Sequence, residues 1–109
     1  MAWLMRDAEV LAVLERCRRG WRSDPAFTGA LLFRRKWAIH TLTAARSLDV
    51  AWCCRDSSPE GLVVARVVML GARRVALGRP GAAAAVVASG GAFERWGLQV
   101  GDRLEVKGL

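Results

Sequence analysis

Short apolar runs follow one another along the chain and are separated by clusters of turn residues. The run over 62–70 is the clearest, because four of its residues are β-branched valines that favour an extended backbone. Glycine, proline, serine and aspartate bound most of the other runs, which is typical of strands joined by tight turns. The pattern predicts strands over residues 3–6, 10–14, 29–33, 37–42, 48–54, 62–70, 73–77, 82–88 and 103–106.

Two segments admit a second interpretation. The runs on either side of the polar break at 7–9 predict a β-hairpin, although Leu4, Leu11 and Leu14 also keep roughly helical spacing. The alanines of 82–88 favour a helix. The Pro-Gly before this run, the Gly-Gly after it and the Val-Val within it favour a strand, which is our interpretation.

Little of the sequence predicts helix. Residues 92–96 fit one short helix that ends at Gly97, and the charged stretch 16–22 has room for one helical turn before Pro25. The predicted core includes one or two residues from most of the strands, namely Leu32, Ile39, Val50, Val64, Val68, Val86 and Leu104.

These elements predict a single mostly-β domain over residues 1–109, a small distorted β-sandwich or barrel with one or two short helices. A length of 109 residues fits one domain, and a hydrophobic content of 53% is too high for a disordered chain. The longest uninterrupted apolar run is seven residues, far below the ~18 residues that span a bilayer. No membrane span is therefore predicted.

The net charge of +7 comes almost entirely from arginine, with 15 Arg against 2 Lys. Guanidinium groups suit phosphates, so a nucleic-acid or anionic-lipid surface is one hypothesis. The other is that the arginines only solvate the domain, and we favour it because no aromatic residue alternates with arginine to form a stacking platform. We then expect only weak, salt-sensitive retention on nucleic acid. The clusters are Arg16, Arg18, Arg19 and Arg22; Arg34, Arg35 and Lys36; and Arg73, Arg74 and Arg79.

The reactive residue types are few. Cys17 stands alone, and Cys53 and Cys54 are adjacent, so that on a strand they point to opposite faces and form no C-x-x-C motif. We expect reduced thiols in a cytoplasmic protein and no metal or cofactor. One histidine and no asparagine exclude a zinc site with two histidines and a triad oriented by asparagine.

Three blocks resemble the bacterial domain of unknown function 192 family in its short actinobacterial form. They are 29–33; His40 and Thr41 with 48–51; and 93–98 with 101–106. The resemblance covers nearly the whole chain and implies a small distorted β-sandwich or barrel without an established activity. Where the family has an aromatic residue, glycine, methionine, a basic residue and Pro-Ile-Asp, this chain has 42–49. Either a ligand site that the family shares is partly erased here, or the chain is a diverged member.

The polar residues that match the family are His40, Thr41 and Asp49, which we expect on adjacent strands. An imidazole, a hydroxyl and a carboxylate close together can hold a small polar ligand or act in acid–base chemistry. The alternative is that Asp49 accepts backbone or Thr41 hydrogen bonds and that His40 is a satisfied, half-buried residue. Gly91, Gly101 and Asp102 predict structural turns.

The sequence favours a non-catalytic accessory or binding protein, cytoplasmic and monomeric, over an enzyme. A basic nucleic-acid-binding module is the first alternative. A small enzyme, or a binder of sugars or other small ligands that uses the region of His40, Thr41 and Asp49, is the second. The sequence does not identify a ligand, a partner protein or a pathway.

Overall fold

The described part of the chain consists of short strands and one short helix. The computed structural model describes residues 2–16, 29–34, 38–40, 47–58, 60–71, 74–78 and 82–108. In chain order the elements are β1 (Ala2–Arg6), β2 (Glu9–Arg16), β3 (Ala30–Arg34), β4 (Ala38–His40), β5 (Leu48–Arg55), β6 (Gly61–Leu70), β7 (Val75–Leu77), β8 (Ala84–Ser89), α1 (Ala92–Trp96) and β9 (Arg103–Lys107).

Seven of the strands close into a barrel in the order β1-β2-β3-β8-β5-β6-β9, and β9 pairs back with β1. Neighbouring strands are antiparallel except for β2 and β3, which are parallel. The strands β4 and β7 form a separate antiparallel sheet of two strands. The predicted mostly-β fold with a short helix at 92–96 is confirmed.

Apolar side chains are buried in two layers. The first fills the barrel and includes Leu32, Cys53 and Leu104. The second includes Trp52 of β5 and Ala76 of β7. Because successive residues of β5 alternate between the two layers, the second layer lies between the outer face of the barrel and the two-stranded sheet.

This double burial explains the continuous apolar runs. Residues 49–53 of β5 and residues 84–88 of β8 are buried without a break, as expected for strands that are covered on both faces. The alanine-rich run is thus a strand, as predicted, because its alanines fit between the barrel interior and the outer layer. A helix would have presented only one face to each neighbour.

Most of the predicted core is confirmed. Leu32, Val50, Val64, Val86 and Leu104 are buried. Val68 is only half-buried and packs against the outer layer. The side chain of Ile39 lies outside the described residues. Of the stretch 16–22, where one helical turn was predicted, Arg16 ends β2 and the remainder lies outside the described residues. No helix in the described ranges has the length and apolar character needed to cross a membrane.

The first two strands form the predicted hairpin, with Arg6 opposite Glu9 and a two-residue loop between them. Both loop residues have positive φ, 51° at Asp7 and 67° at Ala8. This is the geometry of a type I′ turn, which matches the twist of the flanking strands but disfavours a residue with a Cβ. Ala8 is therefore a strained position in an otherwise regular hairpin.

We expect Ala8→Gly to raise the free energy of unfolding by about 1 kcal/mol, because glycine adopts positive φ without steric cost. The matched control is Ala12→Gly, within β2, which should lower it by roughly 1 kcal/mol since glycine loses more backbone entropy in a strand. Urea unfolding followed by tryptophan fluorescence measures both. Destabilisation by Ala8→Gly would contradict the turn geometry.

Candidate functional site

The buried carboxylate of Asp49 lies beneath helix α1. Asp49 is the second residue of β5, and only 2% of it is exposed. Its Oδ2 accepts hydrogen bonds from the backbone N–H groups of Gly91 and Phe93, each at 3.0 Å. In the described chain no other polar or charged residue is buried in this way. The carboxylate is thus bound at the start of the helix rather than presented to solvent.

The helix needs this contact because it is short. Five residues do not stabilise themselves in water, and the first N–H groups of any helix lack partners within it. Gly91 precedes the helix with φ 92° and has no side chain to cap it. Asp49 supplies the missing acceptor from another strand, and its negative charge matches the positive end of the helix dipole.

Arg6 holds the other end of the helix. Its guanidinium donates to the carbonyl oxygens of Trp96 at 2.6 Å and Gly97 at 3.2 Å. It also donates to Asp102 Oδ2 at 3.2 Å, and only 19% of its side chain is exposed. A cation at the carbonyl end of a helix is favourable for the same dipole reason. The two ends of α1 are therefore held by side chains of opposite charge.

The predicted turn at Gly101 and Asp102 joins this network. Asp102 Oδ2 also accepts the N–H of Gln99 at 2.9 Å, and Gly101 has φ 94°. The Gly101 N–H donates to the Val64 carbonyl at 2.7 Å, and the Val64 N–H donates to the Asp102 carbonyl at 2.9 Å. The turn is thus held against β6 by two backbone hydrogen bonds, which agrees with its predicted structural role.

The strands that carry His40 and Asp49 of the predicted ligand site do not pair with each other. His40 lies opposite Val75 in the two-stranded sheet, whereas both neighbours of β5 are barrel strands, β6 and β8. The prediction that His40 and Asp49 lie on adjacent strands is therefore wrong. The reason is that β4 leaves the barrel to pair with β7. The side chain of His40 and the whole of Thr41 lie outside the described residues.

The alternative interpretation of Asp49 as an acceptor of backbone hydrogen bonds agrees with this geometry. Sequence reasoning missed Arg6, which binds the carbonyl end of the helix. Its partners are 90 and 91 residues away along the chain, so no local pattern could have shown the contact.

Two buried polar atoms have no hydrogen-bond partner among the described residues. One is Asp49 Oδ1, and the other is Trp52 Nε1 in the outer layer. A buried polar atom without a partner is costly, so each marks a position where a donor or an acceptor is favourable. Asp49 Oδ1 is a carboxylate oxygen, so the partner that would satisfy it is a hydrogen-bond donor.

The cysteines offer little chemistry. Cys53 lies in the barrel interior and Cys54 is half-buried, so they point to opposite faces as predicted. Burial, with a smaller effect from Cys54, raises the pKa of the Cys53 thiol to about 12. The thiol is therefore protonated at neutral pH and is a poor nucleophile and metal ligand. Within the described ranges no group of three potential metal ligands comes together.

Comparison with known proteins supports the fold and assigns no activity. No protein-family model and no curated protein matches the chain. It is similar to a solved structure of a protein of unknown function from Novosphingobium aromaticivorans DSM 12444, with a TM-score of 0.67 and 15% sequence identity. The likeness covers 95% of this chain and 82% of that one. At that identity the two proteins share a fold alone.

We expect Asp49→Ala to lower the free energy of unfolding by about 2–4 kcal/mol, because two backbone N–H groups lose their acceptor. Asp49→Asn keeps an acceptor and should cost about 1 kcal/mol. The matched control is Glu94→Ala, which removes an acidic charge from the same helix at a cost of at most about 0.5 kcal/mol. Equal losses for Asp49→Ala and Glu94→Ala in urea unfolding would contradict the capping role.

The Cys53 thiol predicts a pH dependence. Its pKa is about 12 in the folded protein against 9.0 for an ordinary cysteine, so its contribution to stability is complete below pH 9 and is lost as pH rises towards 12. Wild-type stability should fall from pH 9 upwards, and Cys53→Ala should flatten the decline. Cys54→Ala is the control and should show most of the wild-type decline in stability above pH 9. An unchanged slope in Cys53→Ala would contradict the assignment.

Proposed function

We propose that the protein is a non-catalytic accessory or binding domain and a diverged member of the domain of unknown function 192 family. The closed barrel agrees with the fold that the resemblance implies. The neighbouring structure of unknown function is consistent with this assignment and adds no activity. We also propose that the protein works as a monomer in the cytoplasm, where unpaired cysteines stay reduced.

One observation carries the proposal: the charged side chains at the helix end of the barrel are used to build the fold. Asp49 and Arg6 hold the two ends of α1, and Asp102 binds both Arg6 and the backbone of its own turn. A catalytic acid or base must be free to exchange a proton with a substrate. These groups bind backbone atoms instead, so their removal should unfold the domain before it affects any chemistry.

A second candidate function is favoured by the buried oxygen Asp49 Oδ1, which lacks a partner among the described residues. A small ligand with a hydrogen-bond donor would satisfy it, as the resemblance at His40, Thr41 and Asp49 suggests. The variant Asp49→Asn separates the capping role of Asp49 from the binding of a ligand at its second oxygen. Its amide oxygen can keep the bonds to Gly91 and Phe93, and its NH₂ group then replaces the acceptor that the ligand needs.

The test is to incubate the protein with an extract of bacterial metabolites and to identify by mass spectrometry what ultrafiltration retains. A binding domain should hold a compound unchanged at no more than one equivalent, and the rest of the extract should stay unaltered. Conversion of any compound beyond one equivalent per protein would contradict the non-catalytic assignment.

The same experiment with Asp49→Asn tests the second candidate. Loss of the retained compound, with the circular dichroism spectrum preserved, supports a donor bound at Asp49. Equal retention by Asp49→Asn and wild type would rule that site out and leave binding elsewhere on the domain. The control is again Glu94→Ala, which should retain the compound.

A further inference from the structure

The barrel closes through a short seam between β6 and β9. β6 is the longest of the described strands, with ten residues, but only residues 61–63 of it pair with β9. One further residue is bonded on that side: the Val64 N–H donates to the Asp102 carbonyl, and the Gly101 N–H donates to the Val64 carbonyl. Among the described strands, residues 66–70 then pair with β5 alone. We call this segment the β6 edge.

The segment that precedes β9 does not continue along the β6 edge. Gly101, with φ 94°, turns the chain, and Leu98 before it is buried in the barrel interior. β7 packs on the outer layer, where its Ala76 lies with Leu70, and in the described strand order it pairs with β4 rather than with β6. A strand with one free side has N–H and C=O groups that pair readily with another extended segment.

Exposed apolar side chains stand at both ends of the β6 edge. Met69 is 81% exposed, the largest fraction for any large apolar residue that the structure describes. Val100 precedes the Gly101 turn and so lies at the opposite end, near Val64, and it is 63% exposed. The free backbone between them is about 13 Å long, which is enough for a short added strand.

Arg66 adds a positive charge to the β6 edge. It lies opposite Trp52, a residue of the outer layer, and because directly paired residues share a face it lies on the outer surface of the barrel. Its side chain is exposed, and no acidic residue of the described chain forms an ion pair with it. A strand added to the edge would place a residue directly across from Arg66, where a carboxylate is favourable.

We propose that the β6 edge binds an extended segment of a partner protein by strand addition. Hydrogen bonds between main chains supply the affinity in this kind of recognition, and alternate side chains supply the specificity. Arg66 and Met69 lie on opposite faces of β6, because side chains alternate along a strand. The partner segment therefore has a carboxylate on one face, opposite Arg66, and apolar side chains on the other, beside Met69.

A second copy of this chain fits the β6 edge less well. Two such edges paired about a two-fold axis would bring the same residues together, so neither would offer a carboxylate to Arg66. The whole chain carries a net charge of +7, so two copies also repel each other. The charge of the edge therefore favours a different, acidic partner.

The inference rests on the proposed binding role, for which it names the partner. Conversion of a metabolite in the extract experiment would contradict the non-catalytic role and would leave strand addition untouched. Absence of peptide binding would overturn strand addition and would leave the non-catalytic role standing.

The test is a titration of the isotope-labelled full chain, followed by NMR, with a capped seven-residue peptide of alternating valine and glutamate. We expect saturable shifts of the backbone amide signals of residues 66–70 and 98–101. Shifts centred on another strand, or no saturable shift at about 1 mM peptide, would overturn the proposal.

Two methylated peptides show whether the backbone is what binds. The N–H groups of the valines and those of the glutamates point to opposite edges of an extended peptide, and only one edge can pair with β6. Methylation of the nitrogens of one residue type should therefore weaken binding far more than methylation of the other. Equal affinity of both methylated peptides and the parent peptide would overturn strand addition.

Two pairs of variants locate the binding on the protein. Arg66→Gln should weaken binding of the peptide by about threefold, the usual contribution of one exposed ion pair. Its control, Arg55→Gln at the exposed end of β5, should leave binding unchanged. Met69→Glu should weaken binding by at least about tenfold, because a repelling charge replaces an apolar contact. Its control is Leu77→Glu, at an exposed apolar position of β7.

All four substitutions are at exposed positions, and thermal unfolding verifies that each variant is folded. Equal losses within either pair would overturn the assignment to the β6 edge. A peptide with lysine in place of glutamate should bind the wild type more weakly than the parent peptide does, and equal binding would overturn the acidic character of the partner. Sedimentation of the free chain as a dimer would overturn the choice of a partner protein over a second copy.

Discussion

A five-residue helix closes one end of the barrel, and two charged side chains from distant parts of the chain hold it there. Asp49 accepts the N–H groups at its start, and Arg6 donates to the carbonyl groups at its end. The helix brings Phe93 into the barrel interior, so the apolar core at this end depends on the two charges. Because Asp49 is buried and Arg6 is mostly buried, removing either one leaves backbone groups at an end of the helix without their partner.

The same constraint limits what chemistry this end of the molecule can perform. A carboxylate and a guanidinium are present, as in many catalytic sites, but both bind backbone atoms. Asp102 links Arg6 to the turn before β9, which fixes the guanidinium further. Of the predicted ligand residues, Asp49 thus serves the fold.

The strands were predictable because their cause is local, whereas the arrangement of the site was not. Turn residues and β-branched positions place each strand to within a few residues, and Gly97 ends α1 as its position in the sequence indicates. The choice of strand over helix for 82–88 was correct, since most of that run lies in β8 and Val86 and Val87 are buried in different layers. By contrast, nothing near Arg6 in the sequence shows that its partners lie 90 residues away, and nothing near His40 shows that β4 leaves the barrel to pair with β7.

The separation of β4 and β7 from the barrel has a consequence for charge as well as for packing. The sheet covers Trp52 and its apolar neighbours, so the barrel strands beneath it need no polar outer face. In the sequence, the segments 35–37, 41–47, 71–74 and 78–83 that connect the sheet to the barrel contain arginine and lysine but no aspartate or glutamate. In the described residues nine basic side chains stand against nine acidic ones, so the net charge of +7 arises from segments 17–28, 35–37, 41–46, 72–73 and 79–81. Four of those five segments join directly to the elements of the two-stranded sheet or to the residues that flank them. Along the sequence, most of the positive charge excess therefore falls in segments that flank the strands of the two-stranded sheet, which the composition alone does not show.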